Sequence, residues 1–427
     1  MSGRDESRLY CPQCGVFHGA VRIECDNQIF WRVNCPRGNR DVRISSDARL
    51  YRMFRAQERP LPPWYRRRLS NCIIHINDDC SLHCPICFED AARKGWRMSL
   101  EDVRMAGRRI RQSGAVNVML MGGEPTEHPE ILEVIRILSH EFGFRLSMLT
   151  NGVRIGREKG FAQALKSAGL VKASLSFDTF IPEVSEVMRG DSRLIGVKLC
   201  AAENCFAAGL SCGFVVTASR LNLKEIPKIA AYFIAHAKQM PMMEIQCYQE
   251  AGRVVPGLES VDREEVIREL VASGVVEGLT PDEFRVTPFV PAAGFCISSD
   301  CGSGVFWRVR DGHATPLTRE WGFDALLEDM AVMTPGPRLI KWFKFILSGV
   351  RHVGLWFIPA LWHWIGKGRP GRNELQLLSI STLMTPDKLD CQRFGRCTNG
   401  VLTAGGAFCS PCYYYCLRFD LERKSRI

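Results

Sequence analysis

The chain has 427 residues, of which 46% are hydrophobic and 24% are charged, and this composition excludes a disordered, collagen-like or coiled-coil protein. The length predicts about two or three structural units. The chain contains 19 cysteines and does not start with a basic segment followed by an apolar run. These two features predict a cytosolic protein whose cysteines bind metal or iron–sulfur clusters rather than form disulfides.

The first 70 residues carry most of the net charge of +10, with 14 arginines and no lysine against 7 acidic residues. Residues 1–45 are strand-like and contain cysteines, which predicts a small N-terminal domain. Residues 46–70 are basic and contain prolines at 60, 62 and 63, which predicts a connector. Its arginines at 66–68 are expected either to meet phosphates of a nucleic acid or a lipid surface, or to be solvated.

Strand-like and helical patterns alternate between residues 71 and 250, which predicts a parallel sheet of βα units and an α/β fold. The predicted strands are 72–77, 116–121, 144–150, 172–177, 212–217 and 242–248. The predicted helices lie near 99–113, 129–142, 160–168, 191–209 and 224–238. Functional groups in such sheets lie at the carboxyl ends of the strands.

Three cysteines, Cys80, Cys84 and Cys87, follow the first predicted strand with the spacing CxxxCxxC. Three thiolates in one loop can hold three irons of a cubane cluster and leave the fourth iron open for a ligand. Zinc is the competing metal, although a zinc site usually uses two CxxC-like pairs. The spacing therefore favours an iron–sulfur cluster with an open iron.

The second predicted strand ends at Gly122-Gly123-Glu124-Pro125-Thr126. Together with CxxxCxxC, this segment resembles the radical S-adenosylmethionine (radical SAM) superfamily over residues 72–250. The resemblance implies a partial (β/α)6 barrel over 71–250 and a [4Fe-4S] cluster on the three cysteines. It also implies SAM contacts by the Gly122–Pro125 segment and by polar residues at the ends of the next two strands, namely Thr150, Asn151, Ser174, Ser176 and Asp178.

The same resemblance implies the chemistry. An electron from a donor such as ferredoxin or flavodoxin cleaves SAM to methionine and a 5′-deoxyadenosyl radical, which abstracts hydrogen from an unactivated C–H bond. The protein positions the cluster and excludes water.

Cys11 and Cys14 form a CxxC knuckle, and Cys35-Pro36 follows a strand-like stretch. This pattern resembles a rubredoxin-like or zinc-ribbon site, which predicts bound zinc or iron. The expected partner of Cys35 is missing, so Cys25 or His18 is left as the fourth ligand.

Seven cysteines lie beyond the core, and they predict one or two auxiliary iron–sulfur clusters. Their spacing departs from the CxxCx5CxxxC signature of peptide-modifying SPASM proteins. Cys200, Cys205, Cys212 and Cys247 are instead expected in the hydrophobic core. The seven are Cys296, Cys301, Cys391, Cys397, Cys409, Cys412 and Cys416, of which Cys391 is the one not assigned as a ligand.

Residues 336–368 contain four of the nine tryptophans, and basic residues interrupt the apolar stretch. This pattern favours an element lying in a membrane interface, or a wall around a lipid tail, over a membrane-spanning helix. A buried helical hairpin is the alternative. With the basic N-terminal region, the segment favours a phospholipid substrate and peripheral membrane association.

The whole layout resembles the tetraether synthase-like proteins, which join the ends of lipid tails through new C–C bonds. This resemblance rests on the knuckle, the core motifs, Cys296-x4-Cys301, the Asp311–Arg319 stretch and the cysteine-rich tail. It implies that residues 251–427 carry an auxiliary cluster and a lipid-facing region. Cys397 and the Cys409 group are the expected partners of Cys296 and Cys301.

Two other functions are open. A radical SAM peptide or protein maturase would also use auxiliary clusters. A zinc-knuckle nucleic-acid-binding protein would use the arginine-rich arm, but it leaves CxxxCxxC and the glycine segment unexplained, so no nucleic-acid partner is expected.

Overall fold

A computed structural model of the protein describes residues 5–58, 69, 71–91, 95–286, 298–319, 338–352, 354–356, 358–359, 361 and 373–424. Cys296 and the arginines and prolines between 59 and 68 lie outside these residues.

The N-terminal segment is an antiparallel four-stranded meander, as its strand-like pattern predicts. Alternating side chains on one face, including Leu9, Trp31 and Val42, form its core. Asp26 and Asn27 both have positive φ angles at the second turn, which is the geometry that favours a two-residue hairpin. The strands are β1 (Glu6–Cys11), β2 (Val16–Cys25), β3 (Gln28–Val33) and β4 (Arg40–Ser45), and helix α1 (Ala48–Gln57) follows them.

Six parallel strands, paired in sequence order, confirm the six strands predicted between 71 and 250. They are β5 (Asn71–His75), β6 (Asn117–Met121), β7 (Arg145–Thr150), β8 (Leu170–Ser176), β9 (Ser211–Ala218) and β10 (Met242–Cys247). The α/β fold class is therefore confirmed.

The five predicted helices of this region are present, and two more, α4 and α6, were not predicted. The helices are α2 (Leu100–Ser113), α3 (Ile131–Arg136) with a π-helical turn (Ile137–Glu141), α4 (Val153–Arg157), α5 (Phe161–Ala168), α6 (Pro182–Arg189), α7 (Leu194–Ala208) and α8 (Ile226–Ala235). Helix α2 shows why the chain turns helical after the cysteine loop. Ser99 and Asp102 form a capping box at its start, and Gly114 at φ 81° ends it.

The rest of the chain extends the same sheet. Strand β14 (Asn373–Ser381) pairs in parallel with β10, and β15 (Asn399–Leu402) pairs in parallel with β5. The outer strands are antiparallel: β12 (Gly302–Arg310) lies beside β14, β11 (Arg285–Val286) and β13 (His313–Pro316) pair with β12, and β16 (Phe408–Cys409) pairs with β15. The remaining helices are α9 (Arg263–Ser273), α10 (Arg338–His352), α11 (Cys391–Gly395) and α12 (Pro411–Lys424).

The two faces of the sheet have different cover. One face packs against the helices through side chains such as Leu120, Met148 and Phe214. On the other face, near β5–β7, Met121 and Val401 pack against Tyr415 of α12. The C-terminal helix therefore lies on the side of the sheet opposite the main helical layer.

Helix α10 falls in the tryptophan-rich segment. No helix in the part of the chain that the structure describes is long and apolar enough to cross a membrane. Trp362 and Trp364 lie outside the described residues, and so does the side chain of Trp342.

Candidate active site and metal centres

The cysteine loop, residues 76–91, runs from β5 toward α2 and carries Cys80, Cys84 and Cys87. Cys84 is buried, and the backbone N–H of Cys87 donates to the Cys84 carbonyl at 3.2 Å. Burial raises the pKa of the Cys80 thiol to about 12 and also raises the pKa of Cys87. Thiols in such surroundings become thiolates when a metal ion binds them.

Among the described residues, only a group near the N-terminus has three or more ligand atoms within 4.8 Å of one another. The sulfur atoms of Cys80, Cys84 and Cys87 are therefore farther apart than a single metal ion requires. A single tetrahedral ion needs its ligands close together, whereas a cubane places each thiolate on a different iron. The donor set therefore fits a cluster better than a zinc ion.

The glycine segment after β6 packs directly against the cysteine loop. An added Cβ at Gly122 would lie 2.2 Å from the Asn77 carbonyl oxygen, and Gly122 has a φ of 134°. A Cβ at Gly123 would lie 2.1 Å from the carbonyl oxygen of Asp79. Only glycine permits this approach.

Glu124 links the glycine segment to the end of β7. It is 2% exposed, and its carboxylate accepts hydrogen bonds from the Thr150 hydroxyl at 2.6 Å, from the Asn151 backbone N–H at 2.6 Å and from Thr126. Burial raises the pKa of Glu124, while these donors act in the opposite direction. Glu124 thus positions the backbone at Asn151. The side-chain amide of Asn151 in turn lies 3.8 Å from the Cys80 sulfur.

The polar residues after β8 form a second linked group. Both carboxylate oxygens of Asp178 accept from Arg189 of α6, at 2.6 and 3.0 Å. Although burial opposes it, Arg189 lowers the pKa of Asp178. Lys198 of α7 donates to the Ser176 hydroxyl at 3.3 Å, and burial lowers the pKa of Lys198 to about 8. Ser174 is buried on the same strand.

Arg189 and Lys198 were missed by sequence reasoning. The charge of Arg189 also interacts with the Cys84 side chain, so this group connects the cysteine loop to the end of β8. Lys198 could have been suspected, because it occupies a buried position of α7 together with Leu194 and Ala201. Arg189 lies on a helix that the sequence pattern did not predict, and no signal pointed to it.

The N-terminal knuckle places Cys11, Cys14, Cys35 and His18 together, with their ligand atoms all within 4.8 Å of one another. The sulfur of Cys35 lies 3.7 Å from that of Cys11 and 3.4 Å from that of Cys14. The Nε2 atom of His18 is buried and has no hydrogen-bond partner among the described residues. Three thiols and an imidazole form a Cys3His set, which is typical of structural zinc.

Cys25, the other candidate for the fourth ligand, lies at the exposed end of β2. Its thiol hydrogen-bonds Asp26 at 3.5 Å. Strand β2 points His18, and not Cys25, toward the knuckle.

Cys301, Cys412 and Cys416 lie close to Arg393 or Met384. Arg393 of α11 donates through Nε to the Cys301 sulfur at 3.0 Å. The backbone of Met384 contacts both others, its N–H lying 3.4 Å from the Cys412 sulfur and its carbonyl 3.0 Å from the Cys416 sulfur. Burial raises the pKa of both these thiols. The half-buried Arg393 guanidinium beside these thiols would supply a counter-charge to a cluster bound by their thiolates.

The other distal cysteines have different settings. Cys409 lies on β16 beside the apolar group of Met121 and Val401. The Cys397 thiol lies 3.5 Å from the Asn399 carbonyl oxygen. Of the four cysteines expected in the core, Cys205, Cys212 and Cys247 are buried there, whereas the prediction was wrong for Cys200, which is exposed on α7.

Residues 74–233 match the family model of the Radical SAM superfamily. This is the region that contains the cysteine loop, the glycine segment and both polar groups. Residues 74–233 therefore form a radical SAM enzyme domain, and that superfamily implies a [4Fe-4S] cluster and SAM as the cofactors of this domain.

Three curated proteins show what the chain is similar to. It is 26% identical to the 7,8-dihydro-6-hydroxymethylpterin dimethyltransferase of Methanocaldococcus jannaschii over 361 residues, which cover 74% of this chain and 71% of the relative. It is 26% identical to the PqqA peptide cyclase of Methylobacterium nodulans over 268 residues, covering 56% and 70%. A GTP 3',8-cyclase of Nitrobacter hamburgensis is 29% identical over 192 residues, covering 43% of this chain and 54% of that protein.

Among solved structures, Streptococcus suis SuiB bound to its precursor peptide SuiA aligns with a TM-score of 0.42 and 18% identity. The alignment covers 48% of this chain and 45% of SuiB. The chain thus spans less than half the length of this structure.

Proposed function

We propose that this radical SAM enzyme abstracts hydrogen from alkyl chains of membrane lipids and forms C–C bonds between them. The proposal includes a partial (β/α)6 barrel core, an auxiliary cluster on the Cys301–Cys412–Cys416 group and a metal ion at the N-terminal knuckle. It also includes an electron donor such as ferredoxin or flavodoxin.

The core site supports the radical step. When bound, the cluster and SAM supply a 5′-deoxyadenosyl radical. The chain itself contributes three buried or half-buried thiols and a glycine segment that brings backbone against the cysteine loop. It also contributes two separate hydrogen-bonded groups, one around the buried Glu124 and one formed by the buried Asp178 with Arg189, which fix the loops after β6 and β8. Such enclosure keeps water from a reactive intermediate.

The observation that carries the lipid proposal is the apolar surface of α10 and the turn after it. Phe343, Leu347 and Leu355 are 67%, 57% and 75% exposed. Phe343 and Leu347 are four residues apart, so they lie on one face of the helix. Arg351 is exposed one turn further on, and Arg308 lies over the ring of Trp356 at 5.0 Å. Apolar side chains flanked by cations and an aromatic ring are suited to an anionic bilayer surface.

A peptide substrate is the second candidate, and the similarity to a PqqA peptide cyclase favours it. In that case the exposed face of α10 would not be required for turnover. The longer alignment with a pterin dimethyltransferase makes methylated pterins a further product to measure.

The test is mass spectrometry of lipids, peptides and pterins from cells expressing the wild-type chain, Cys84→Ala or Leu347→Glu. We expect coupled lipids with the wild type only, and unchanged 5′-deoxyadenosine formation by purified Leu347→Glu. Met105→Glu is the matched control, because Met105 is a 47% exposed apolar residue on α2, and it should behave as wild type. Unchanged lipids in cells with loaded clusters, together with a modified peptide or pterin that disappears in Cys84→Ala, would refute the lipid proposal.

A further inference from the structure

The segment after β10, the last of the six core strands, contacts the cysteine loop, which follows β5, the first of them. Gly252 has a φ of 69°, and an added Cβ there would lie 2.4 Å from the Cys87 carbonyl oxygen and 2.5 Å from that of Phe88. The next backbone N–H, that of Arg253, donates to the Cys87 carbonyl at 2.8 Å. The glycine therefore lets the chain approach the loop at the level of its backbone.

The side chain of Arg253 then spans the same loop. Its Nε donates to the Cys84 carbonyl at 2.9 Å, and its Nη1 donates to the Ala91 carbonyl at 2.8 Å. The carboxylate of Asp90 lies 3.4 Å from Nη1. The side chain is only 18% exposed, and its Nη2 is buried with no hydrogen-bond partner among the described residues.

We propose that Arg253 is a positioning residue that clamps the cysteine loop in its cluster-binding conformation. Its backbone and guanidinium together hold the carbonyls of Cys84, Cys87 and Ala91. A guanidinium presents several donors in a rigid planar fork, whereas a lysine ammonium is a point charge on a flexible stem. Lysine can therefore keep the charge but cannot bridge the Cys84 and Ala91 carbonyls in the same way.

The charge of Arg253 has a separate consequence. Reduction adds negative charge to an iron–sulfur cluster, and a fixed cation beside its ligands favours the reduced form. The clamp and the charge thus predict different responses to substitution. Retention of the cluster should depend on the fork, and the reduction equilibrium should depend on the charge.

The experiment uses the full chain, reconstituted anaerobically, as wild type, Arg253→Gln and Arg253→Lys. Iron release to a chelator measures retention, and an EPR-monitored redox titration measures reduction, with Cys84→Ala providing the signal of any other cluster. Arg220→Gln is the matched control. The Arg220 guanidinium forms an ion pair with Glu265 of α9, at an N–O distance of 2.6 Å, rather than with the cysteine loop. Circular dichroism of the metal-free variants reports on folding.

We expect both Arg253 variants to release the iron of this cluster at least tenfold faster than wild type. Arg253→Gln should also shift the reduction equilibrium about tenfold toward the oxidised form, which is about 59 mV for a one-electron couple, while Arg253→Lys should shift it less than about twofold. If either variant retains the iron of this cluster as well as the wild type does, the clamp proposal is wrong. None of these measurements needs a lipid, so they stand apart from the proposed substrate.

Discussion

Replacing Gly123 with alanine tests the packing on which the core site depends. The added methyl carbon would lie 2.1 Å from the Asp79 carbonyl oxygen, whereas ordinary contact begins at 3.4 Å. The clashing atoms are backbone, so no rotamer change relieves the overlap. The shift also threatens two backbone hydrogen bonds, from Gly123 N–H to Asn77 at 2.9 Å and from Glu124 N–H to Asp79 at 2.6 Å. Overpacking costs about 1–3 kcal/mol, and each hydrogen bond contributes about 1 kcal/mol, so the expected loss is about 3–5 kcal/mol.

Urea unfolding of the metal-free protein measures this loss, and iron analysis after reconstitution measures cluster binding, which should fall because Cys80 follows Asp79. Gly196→Ala is the control, since Gly196 lies in α7 with open space around its Cβ position. That substitution should stabilise the protein by about 0.5–1 kcal/mol. If the free energy of unfolding of Gly123→Ala is within about 0.5 kcal/mol of the wild-type value and the variant binds its iron normally, the close packing of the glycine segment against the cysteine loop is refuted.

Two further predictions concern a metal ligand and a buried base. His18→Ala should remove the N-terminal metal, measured as zinc or iron per chain, whereas Cys25→Ser should leave that metal content unchanged. Lys198 has a pKa of about 8 in the folded protein, below the ordinary lysine value of 10.5, so the unfolded chain binds more protons between these pH values. The free energy of unfolding should therefore rise from about pH 8 to about pH 10.5, by at most about 3 kcal/mol. Lys198→Met should abolish this rise in pH-dependent denaturation of the metal-free protein, and an unchanged rise would contradict the assignment.

The sequence predicted those parts of the fold that have a local pattern. Each of the six core strands is a short strand-like run, and in most of them buried residues alternate with half-buried ones. The sequence did not indicate that β14 and β15 would join this sheet, because the pairing partners Met242 and Asn71 are far away along the chain. Long-range strand pairing leaves no mark in a local window.

The site follows the same division. The cysteines and glycines were visible because their spacing is set by one loop or one strand end. Arg189, Lys198 and Arg253 were not visible, because each acts by reaching a different loop, and a single charged residue on a helix or turn is usually solvent-exposed. The fourth knuckle ligand was undecided for a similar reason. Pairing with β1 places His18 opposite Leu9 and close to Cys11, whereas Cys25 lies at the other end of β2, where it pairs with Gln28.

Helix α12 connects all three cysteine groups. Its Cys412 and Cys416 share an apolar cluster with Tyr10 and Phe17, which flank the N-terminal knuckle in sequence. One turn of the same helix brings Tyr415 against Phe88, with ring centroids 4.6 Å apart, directly after the last cysteine of the loop. Contacts with His75 reinforce this side, since the Tyr415 hydroxyl lies 3.2 Å from its Nε2 and the Tyr414 ring stacks on it. Because these residues are buried or half-buried, packing and not solvent separates the groups. The cysteine loop should therefore respond to changes in α12 together with Cys412 and Cys416, although these two cysteines lie more than three hundred residues from the loop in the sequence.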